Sequence, residues 1–222
     1  MRLSATLSVS CVLTLILGSA FPGLAGQPPS CIKAASSKNG NFLVLMNMQL
    51  DPPQSKDGVT MRFSFEIFPK ENFLNAKDRL TTPGAYFSGG SWAQWGVALD
   101  SRNGTDGPFT SFCPLPLVTD DGEFLILLAQ TPAFSADSVV LRIYRWDRTS
   151  TGIPGEGRLV EEFPLKKFYF PLLESPCCSD ESPAWFAGGS LNFSSDNSQL
   201  IYKSQYGNAA RITLANGSVS SQ

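Results

Sequence analysis

Residues 117–128 read Leu-Val-Thr-Asp-Asp-Gly-Glu-Phe-Leu-Ile-Leu-Leu, a tight turn that runs into an apolar segment. Asp in such a turn accepts hydrogen bonds from its own backbone, and Gly adopts a positive φ at no steric cost. Asp-Gly is among the strongest short signals for a hairpin turn, and a short apolar run after it is typical of a buried strand. The stretch therefore predicts a strand that enters the core directly from a turn.

Two other stretches repeat this pattern. Residues 37–45 read Ser-Lys-Asn-Gly-Asn-Phe-Leu-Val-Leu, and residues 195–202 read Ser-Asp-Asn-Ser-Gln-Leu-Ile-Tyr. The shared order is Ser or Thr, any residue, Asn or Asp, Gly or Ser, a polar residue, and then Phe or Leu. The copies start at Ser37, Thr119 and Ser195, so 119 − 37 gives a spacing of 82 residues and 195 − 119 one of 76. We interpret the chain as a series of turn-and-strand repeats.

The composition favours many short strands over long helices. The 222 residues include 19 Gly and 16 Pro, which interrupt helices and are frequent in turns. Hydrophobic residues make up 42% of the chain, which is enough for the core of one domain of this size. A strand with one buried face is predicted from the alternation of Met61, Phe63, Phe65 and Ile67 with other residues. We predict one short helix, over residues 70–80.

The charge balance and the absence of histidine narrow the possible functions. The 17 basic and 19 acidic residues leave a formal net charge of -2, so no excess charge attracts nucleic acid or anionic lipid. The chain contains no His, which excludes Ser-His-Asp and Cys-His catalysis and imidazole metal sites. The oxygen-rich stretch 100–107 lacks the alternating acids and the downstream Glu of a calcium loop. From the sequence we assign no catalytic residue, no metal site and no cofactor, and we expect no nucleic-acid partner.

Residues 1–26 have the order of segments found in a secretory signal peptide. A short positive start precedes a mostly apolar segment at residues 7–17, and small residues follow, so we expect cleavage near Ala25 or Gly26. The apolar segment is shorter than the roughly 20 residues that span a bilayer, and no second such run follows. We expect a secreted or periplasmic protein, with no membrane span in the mature chain and a single all-β repeat domain over residues 27–222.

Export would place four cysteines in an oxidising compartment, where thiols are usually paired. The disulfide candidates are Cys31, Cys113, Cys177 and Cys178. Cys31 and Cys113 each precede the start of a repeat by six residues, so they occupy equivalent positions in two copies. Four cysteines allow three connectivities, and a bridge within the adjacent pair would be strained. We expect structural disulfides and leave their pairing open.

Two tryptophans and two acids are the candidate ligand-binding residues. Trp92 and Trp95 point to opposite faces if they lie in one strand, because their separation is odd. One of them is then expected at an exposed or inter-unit surface, where an indole could stack on a sugar or a peptide; the alternative is a Trp that fills the gap between packed sheets. Asp180 and Glu181 lie in a loop and could act as paired acids on a glycan.

The repeats resemble the WD-like repeats of bacterial periplasmic β-propellers, the type found in the translocation protein TolB. The family motif is Ser-x-Asp-Gly-x-x-Leu followed by aliphatic residues. Residues 119–127 are similar to it, as are residues 37–45 with Asn39 in place of Asp and residues 195–202 with Ser198 in place of Gly. The resemblance implies antiparallel blades and a scaffold that binds proteins or other ligands across its face.

The spacing of the repeats departs from that family. It is about twice the roughly 40–45 residues of a typical four-stranded blade, so either each unit carries long insertions or weaker blades lie between the clear ones. Three units are also fewer than the 4–8 blades of a closed propeller. We therefore expect an all-β, β-propeller-like fold whose ring is incomplete or is completed by a homo-oligomer. An antiparallel β-sandwich is the alternative fold.

The sequence favours an exported, non-catalytic binding or protein-interaction module with a protein or glycan ligand. One alternative is a carboxylate-dependent enzyme that acts on a glycan. Another is a structural or assembly protein whose sheet edges self-associate. Because a fold does not determine a function, the ligand stays open at this point.

Overall fold

The computed structural model of the chain describes residues 34–51, 60–72, 93–100, 109, 114–129, 137–149, 155–167, 190–203 and 209–221. The strands are β1 (Ala34–Ser36), β2 (Phe42–Asp51), β3 (Thr60–Pro69), β4 (Trp95–Asp100), β5 (Leu115–Val118), β6 (Phe124–Leu128), β7 (Val139–Asp147), β8 (Gly155–Pro164), β9 (Ser190–Phe193), β10 (Gln199–Lys203), β11 (Ala209–Thr213) and β12 (Val219–Ser221). Short 3-10 turns follow β3 and β8, at Lys70–Asn72 and Leu165–Lys167. The first of these turns lies at the start of the predicted helix, and the rest of that helix falls outside the described residues.

The strands form three antiparallel meanders of four strands each. The first contains β1 to β4, the second β5 to β8, and the third β9 to β12. Each meander begins with a hairpin that contains one of the turn-and-strand repeats. The all-β prediction is confirmed. Within the described residues each repeat belongs to one four-stranded unit. Long segments between consecutive strands, such as residues 73–94, make the unit longer than a typical blade.

The first two meanders join edge to edge into one eight-stranded sheet. β4 and β8 run parallel and are hydrogen-bonded to each other, whereas every other strand pair in the described sheets is antiparallel. At the opposite edges, β1 and β2 lie against β5, so the sheet nearly closes into a barrel. Propeller blades are separate sheets arranged around a channel. The first two meanders therefore differ from neighbouring propeller blades, because they join edge to edge into one sheet.

The third meander forms a four-stranded sheet beside the eight-stranded one. Its Leu200, Tyr202 and Ile212 are buried in the same apolar cluster as residues of β6 and β7. The turn between β11 and β12 packs on β8, since a Cβ at Gly217 would lie 2.5 Å from the side chain of Glu161. All five residues of β6 are buried, because neighbouring elements cover both faces of this strand.

Aromatic and aliphatic side chains fill the inner side of the eight-stranded sheet. In β3 the predicted alternation is confirmed for Phe63, Phe65 and Ile67, which are buried on one face. The side chain of Met61 lies outside the described part of the chain. Full burial of one such side chain stabilises the fold by roughly 1.5–3 kcal/mol, so this cluster is the main favourable contribution to folding.

The repeat turns are held by side-chain hydrogen bonds to the backbone. In the first turn, Ser37 Oγ–H donates to Asn39 Oδ1 at 2.9 Å, and Asn41 N–H donates to the same oxygen at 2.9 Å. Phe42 N–H donates to Ser37 Oγ at 3.1 Å and begins β2. The corresponding residues form the same contacts in the second and third turns.

The third repeat starts one residue earlier than the sequence comparison predicted. The hydroxyl of Ser194, not that of Ser195, donates to Asp196, at 2.6 Å. Asn197 has a φ of 58°, the positive value that Gly has in the other two turns. Asn tolerates this conformation better than most residues. The predicted register, with Ser198 in the Gly position, is therefore wrong by one residue, and the corrected spacing, 194 − 119, is 75 residues.

Candidate functional site

A cleft of about 620 Å³ opens where β4 and β8 separate. In the described residues the two strands pair at Trp95 with Gly155 and at Gly96 with Glu156. Beyond this junction β4 continues to Asp100 along β3, and β8 continues along β7. Two parallel strands of one sheet thus diverge and leave a concave space between them. Its volume falls in the range of roughly 300–1,000 Å³ that is typical of ligand sites.

The closed end of the cleft is fixed by hydrogen bonds. Gln94 N–H donates to Ile67 O at 2.8 Å, and Gln94 O accepts the N–H of Gly155 at 3.1 Å. Trp95 is fully buried, and its Nε1–H donates to Gly122 O at 2.7 Å. β4 is therefore tied to β3, to β8 and to the turn of the second repeat at one point.

Glycine is required at the start of β8 because a larger residue does not fit. A Cβ at Gly155 would lie 2.8 Å from Trp146 Nε1. A Cβ at Gly157 would lie 2.6 Å from the ring of Trp95 and 2.6 Å from Val97. These two glycines are explained by packing. A Gly-x-Gly sequence at the start of a strand is a signal of close backbone approach, and it is the one local signal in the sequence that indicates this junction.

The lining of the cleft is apolar on one side and polar on the other. The inner side of the sheet contributes Phe65, Val97, Tyr144 and Leu159. The outer side contributes Ser64, Glu66, Ala98 and Glu156. Leu159 is 42% exposed, so its side chain is accessible to a ligand. The cleft can therefore bind an apolar group and a polar group at the same time.

Two acidic side chains belong to the outer side of the cleft. Glu66 is buried and Glu156 is exposed, and no Lys or Arg belongs to the lining formed by the described residues. Thr149 lowers the pKa of the neighbouring Asp147 through its hydroxyl and its N–H, and Arg158 contributes a smaller effect in the same direction. Arg158 lies two residues after Glu156 in β8, so both side chains are on the same face of the strand and the positive charge of Arg158 offsets the negative charge of Glu156.

Trp95 is the one predicted ligand-binding residue that the structure describes. Because Trp95 is fully buried, it has no exposed surface for stacking on a ligand. The other predicted site residues, Trp92, Asp180 and Glu181, and the cysteines Cys31, Cys113, Cys177 and Cys178 lie outside the described residues. The ligand-binding and disulfide hypotheses for those residues stay predictions.

A scan against protein-family models finds no match for this chain, and a search of curated proteins finds no significantly similar one. Within the described ranges, no group of three Cys, Asp or Glu side chains lies close enough together to hold a metal ion. No helix in the part of the chain that the structure describes is long and apolar enough to cross a membrane.

Proposed function

We propose that the chain is an exported, non-catalytic binding module and that the cleft between β4 and β8 is its ligand site. The observation that carries this proposal is the divergence of two parallel strands within one continuous sheet. The divergence produces a concave site with a hydrogen-bonded closed end and a lining of apolar and acidic groups. Ligand sites usually combine mostly apolar walls with a few polar groups that orient the ligand.

The residue types in the cleft support binding over catalysis. The chain has no His, the side chain that most often transfers protons near neutral pH. Ser64, Tyr144 and the carboxylates can donate or accept hydrogen bonds and so orient a ligand. The export expected from residues 1–26 would present this site to a periplasmic or extracellular ligand. The resemblance of the repeats to those of periplasmic propellers adds to the expectation of a binding role.

The test compares two substitutions at side chains of equal exposure. Leu159 on the wall of the cleft and Met48 on β2 are each 42% exposed, and Met48 is not part of the lining. Leu159→Glu places a carboxylate among the apolar groups of the cleft, whereas Met48→Glu places the same charge elsewhere on the surface. Isothermal titration calorimetry then measures the binding of a fixed panel of hexapeptides and oligosaccharides to the unsubstituted chain and to both variants.

We expect at least one class of probe to bind, and Leu159→Glu to weaken that binding by about tenfold or more, equivalent to about 1.4 kcal/mol. The reason is the cost of desolvating a carboxylate against apolar groups. Met48→Glu should change the affinity by less than about twofold, because exposed substitutions away from a site have small effects. Equal losses in the two variants, or no binding by either class of probe, would exclude the cleft as the ligand site.

A further inference from the structure

The turn between β11 and β12 contains the triplet Asn216-Gly217-Ser218, which has the order of an N-glycosylation acceptor. Such a triplet consists of Asn, any residue except Pro, and then Ser or Thr. Asn216 and Ser218 are exposed, whereas Gly217 is buried against β8. The side chain that would receive a sugar is therefore accessible at one end of the third sheet, in the surface turn that this modification requires.

The hydrogen bonds that hold this turn are compatible with a sugar on Asn216. Ser218 N–H donates to Asn216 Oδ1 at 3.0 Å, and Gly217 N–H donates to Thr213 O at 2.8 Å. N-glycosylation joins the sugar to the amide nitrogen Nδ2, so Oδ1 keeps its function as an acceptor. The turn can therefore carry a glycan and retain both of these bonds.

A second Asn-Gly turn among the described residues, at Asn39 and Gly40, lacks this compatibility. Asn39 Nδ2 donates to Asp120 O at 3.1 Å, in the contact between the turns of the first two repeats. A sugar on that nitrogen would displace Asp120. The residue after Gly40 is Asn41, which has no hydroxyl, so this turn is not an acceptor. The acceptor sequence is thus absent where the amide nitrogen holds two units together.

The outer face of the third sheet provides a mostly polar surface beside the turn. Asn192, Arg211 and Ser220 lie in one row on this face, and the opposite face contributes Leu200 and Ile212 to the core. None of the described residues on the outer face is buried. A hydrophilic glycan at the end of this sheet would therefore border a surface that is already in contact with water.

We infer that Asn216 carries an N-linked glycan when the chain is exported through a secretory pathway that contains an oligosaccharyltransferase. The inference goes beyond the ligand site and rests only on the export in the proposed function. In the reaction, Nδ2 of Asn216 attacks the anomeric carbon of an oligosaccharide that is linked to a lipid pyrophosphate. The bond between that carbon and the phosphate oxygen breaks, the lipid pyrophosphate leaves, and one proton of Nδ2 passes to a base of the enzyme.

The test expresses the full chain, including residues 1–26, in a cultured human cell line. Two further acceptor triplets, of which the first lies outside the described residues, are removed by Asn103→Gln and Asn192→Gln, so that any N-glycan reports on Asn216. In this background, Ser218→Ala removes the hydroxyl of the triplet and Ser218→Thr retains one. Both variants keep the backbone N–H that donates to Asn216.

The secreted background chain should lose mass on treatment with peptide-N-glycosidase F, and mass spectrometry should locate the sugar on the peptide that contains Asn216. Ser218→Thr should keep the glycan, and Ser218→Ala should lose it. Urea denaturation of the two variants after deglycosylation should give the same unfolding midpoint. Equal midpoints mean that the loss of the glycan in Ser218→Ala does not come from a folding defect.

Secretion of the background chain without a sugar on Asn216 would overturn the inference. The proposed function would stay intact, because the described residues that line the cleft belong to β3, β4, β7 and β8. A glycan that persists in Ser218→Ala would also overturn the inference. Retention of the chain in the cytosol would overturn both the inference and the expected export.

Discussion

Each repeat turn is held by one hydroxyl and one Asn or Asp oxygen. The hydroxyl donates to the oxygen two residues later and accepts the backbone N–H five residues later. These bonds satisfy backbone groups that a tight turn leaves without strand partners. The sequence was sufficient to predict the turns. It gave the wrong register for the third one, because only the frame from Ser195 places Ser and Leu at the last positions of the motif. In the structure the turn starts at Ser194, and the positive φ falls on Asn197 where the other turns have Gly.

Gly40 and Gly122 provide a matched pair of substitutions at the residue scale. Their φ values are 70° and 67°, so Ala costs about 1–2 kcal/mol at either position. Nothing lies within 4 Å of a Cβ at Gly40, whereas a Cβ at Gly122 overlaps the ring of Phe42. In urea denaturation, Gly122→Ala should lower the free energy of unfolding by about 1–3 kcal/mol more than Gly40→Ala, because the ring must move. Equal losses would mean that Phe42 does not pack on the second turn.

Asp196 gives a prediction about pH. Its pKa is lowered from 3.8 to about 2 by the hydroxyl of Ser194, and then by the N–H and the hydroxyl of Ser198. Because the pKa is lower in the folded chain than in the unfolded chain, the stabilisation is present above pH 3.8 and is lost as the pH falls through about 2. In a carbon-13 NMR titration, Ser194→Ala should raise the pKa of Asp196 toward 3.8, and Ser195→Ala should not. The same pKa in both variants would contradict the corrected register.

At the scale of elements, the strands differ in how far the sequence predicts them. The alternation in β3 and the apolar run of β6 each lie within one stretch, so local reasoning finds both strands. β1 has three residues and is too short to show a period. The junction of β4 with β8 depends on two residue pairs from distant parts of the chain, and apart from the glycines of β8 no local pattern indicates it. The cleft that this junction creates was therefore not predicted.

Trp95 tests the role of β4 as the element that joins the two meanders. Trp95→Phe removes the indole N–H that donates to Gly122 O and leaves space in the core. We expect the free energy of unfolding to fall by about 2–4 kcal/mol in urea denaturation. A loss below about 1 kcal/mol, as for a surface substitution, would contradict this role.

At the scale of the whole molecule, the repeated motif indicates where each four-stranded meander begins but does not indicate how the meanders contact one another. The turns of the first two repeats touch, since Asn39 N–H donates to Asp120 Oδ1 at 2.8 Å. Asp120 occupies the motif position that any residue can fill, so the motif carries no information about this contact. The motif also carries no information about the candidate site, because the walls of the cleft come from strands of two different units. Completion of a ring by a second copy stays a prediction, which the molar mass in solution tests.

The most direct test of the proposed site is a map of the backbone amides that respond to a bound probe. Nitrogen-15 NMR spectra of the whole chain are recorded with increasing amounts of the probe that binds most tightly in the calorimetric panel. The largest shifts are expected at Val97, Ala98, Gly157 and Leu159, with small shifts in β9 to β12. Largest shifts in the third sheet, or shifts spread evenly over the chain, would contradict the assignment of the ligand site to the cleft between β4 and β8.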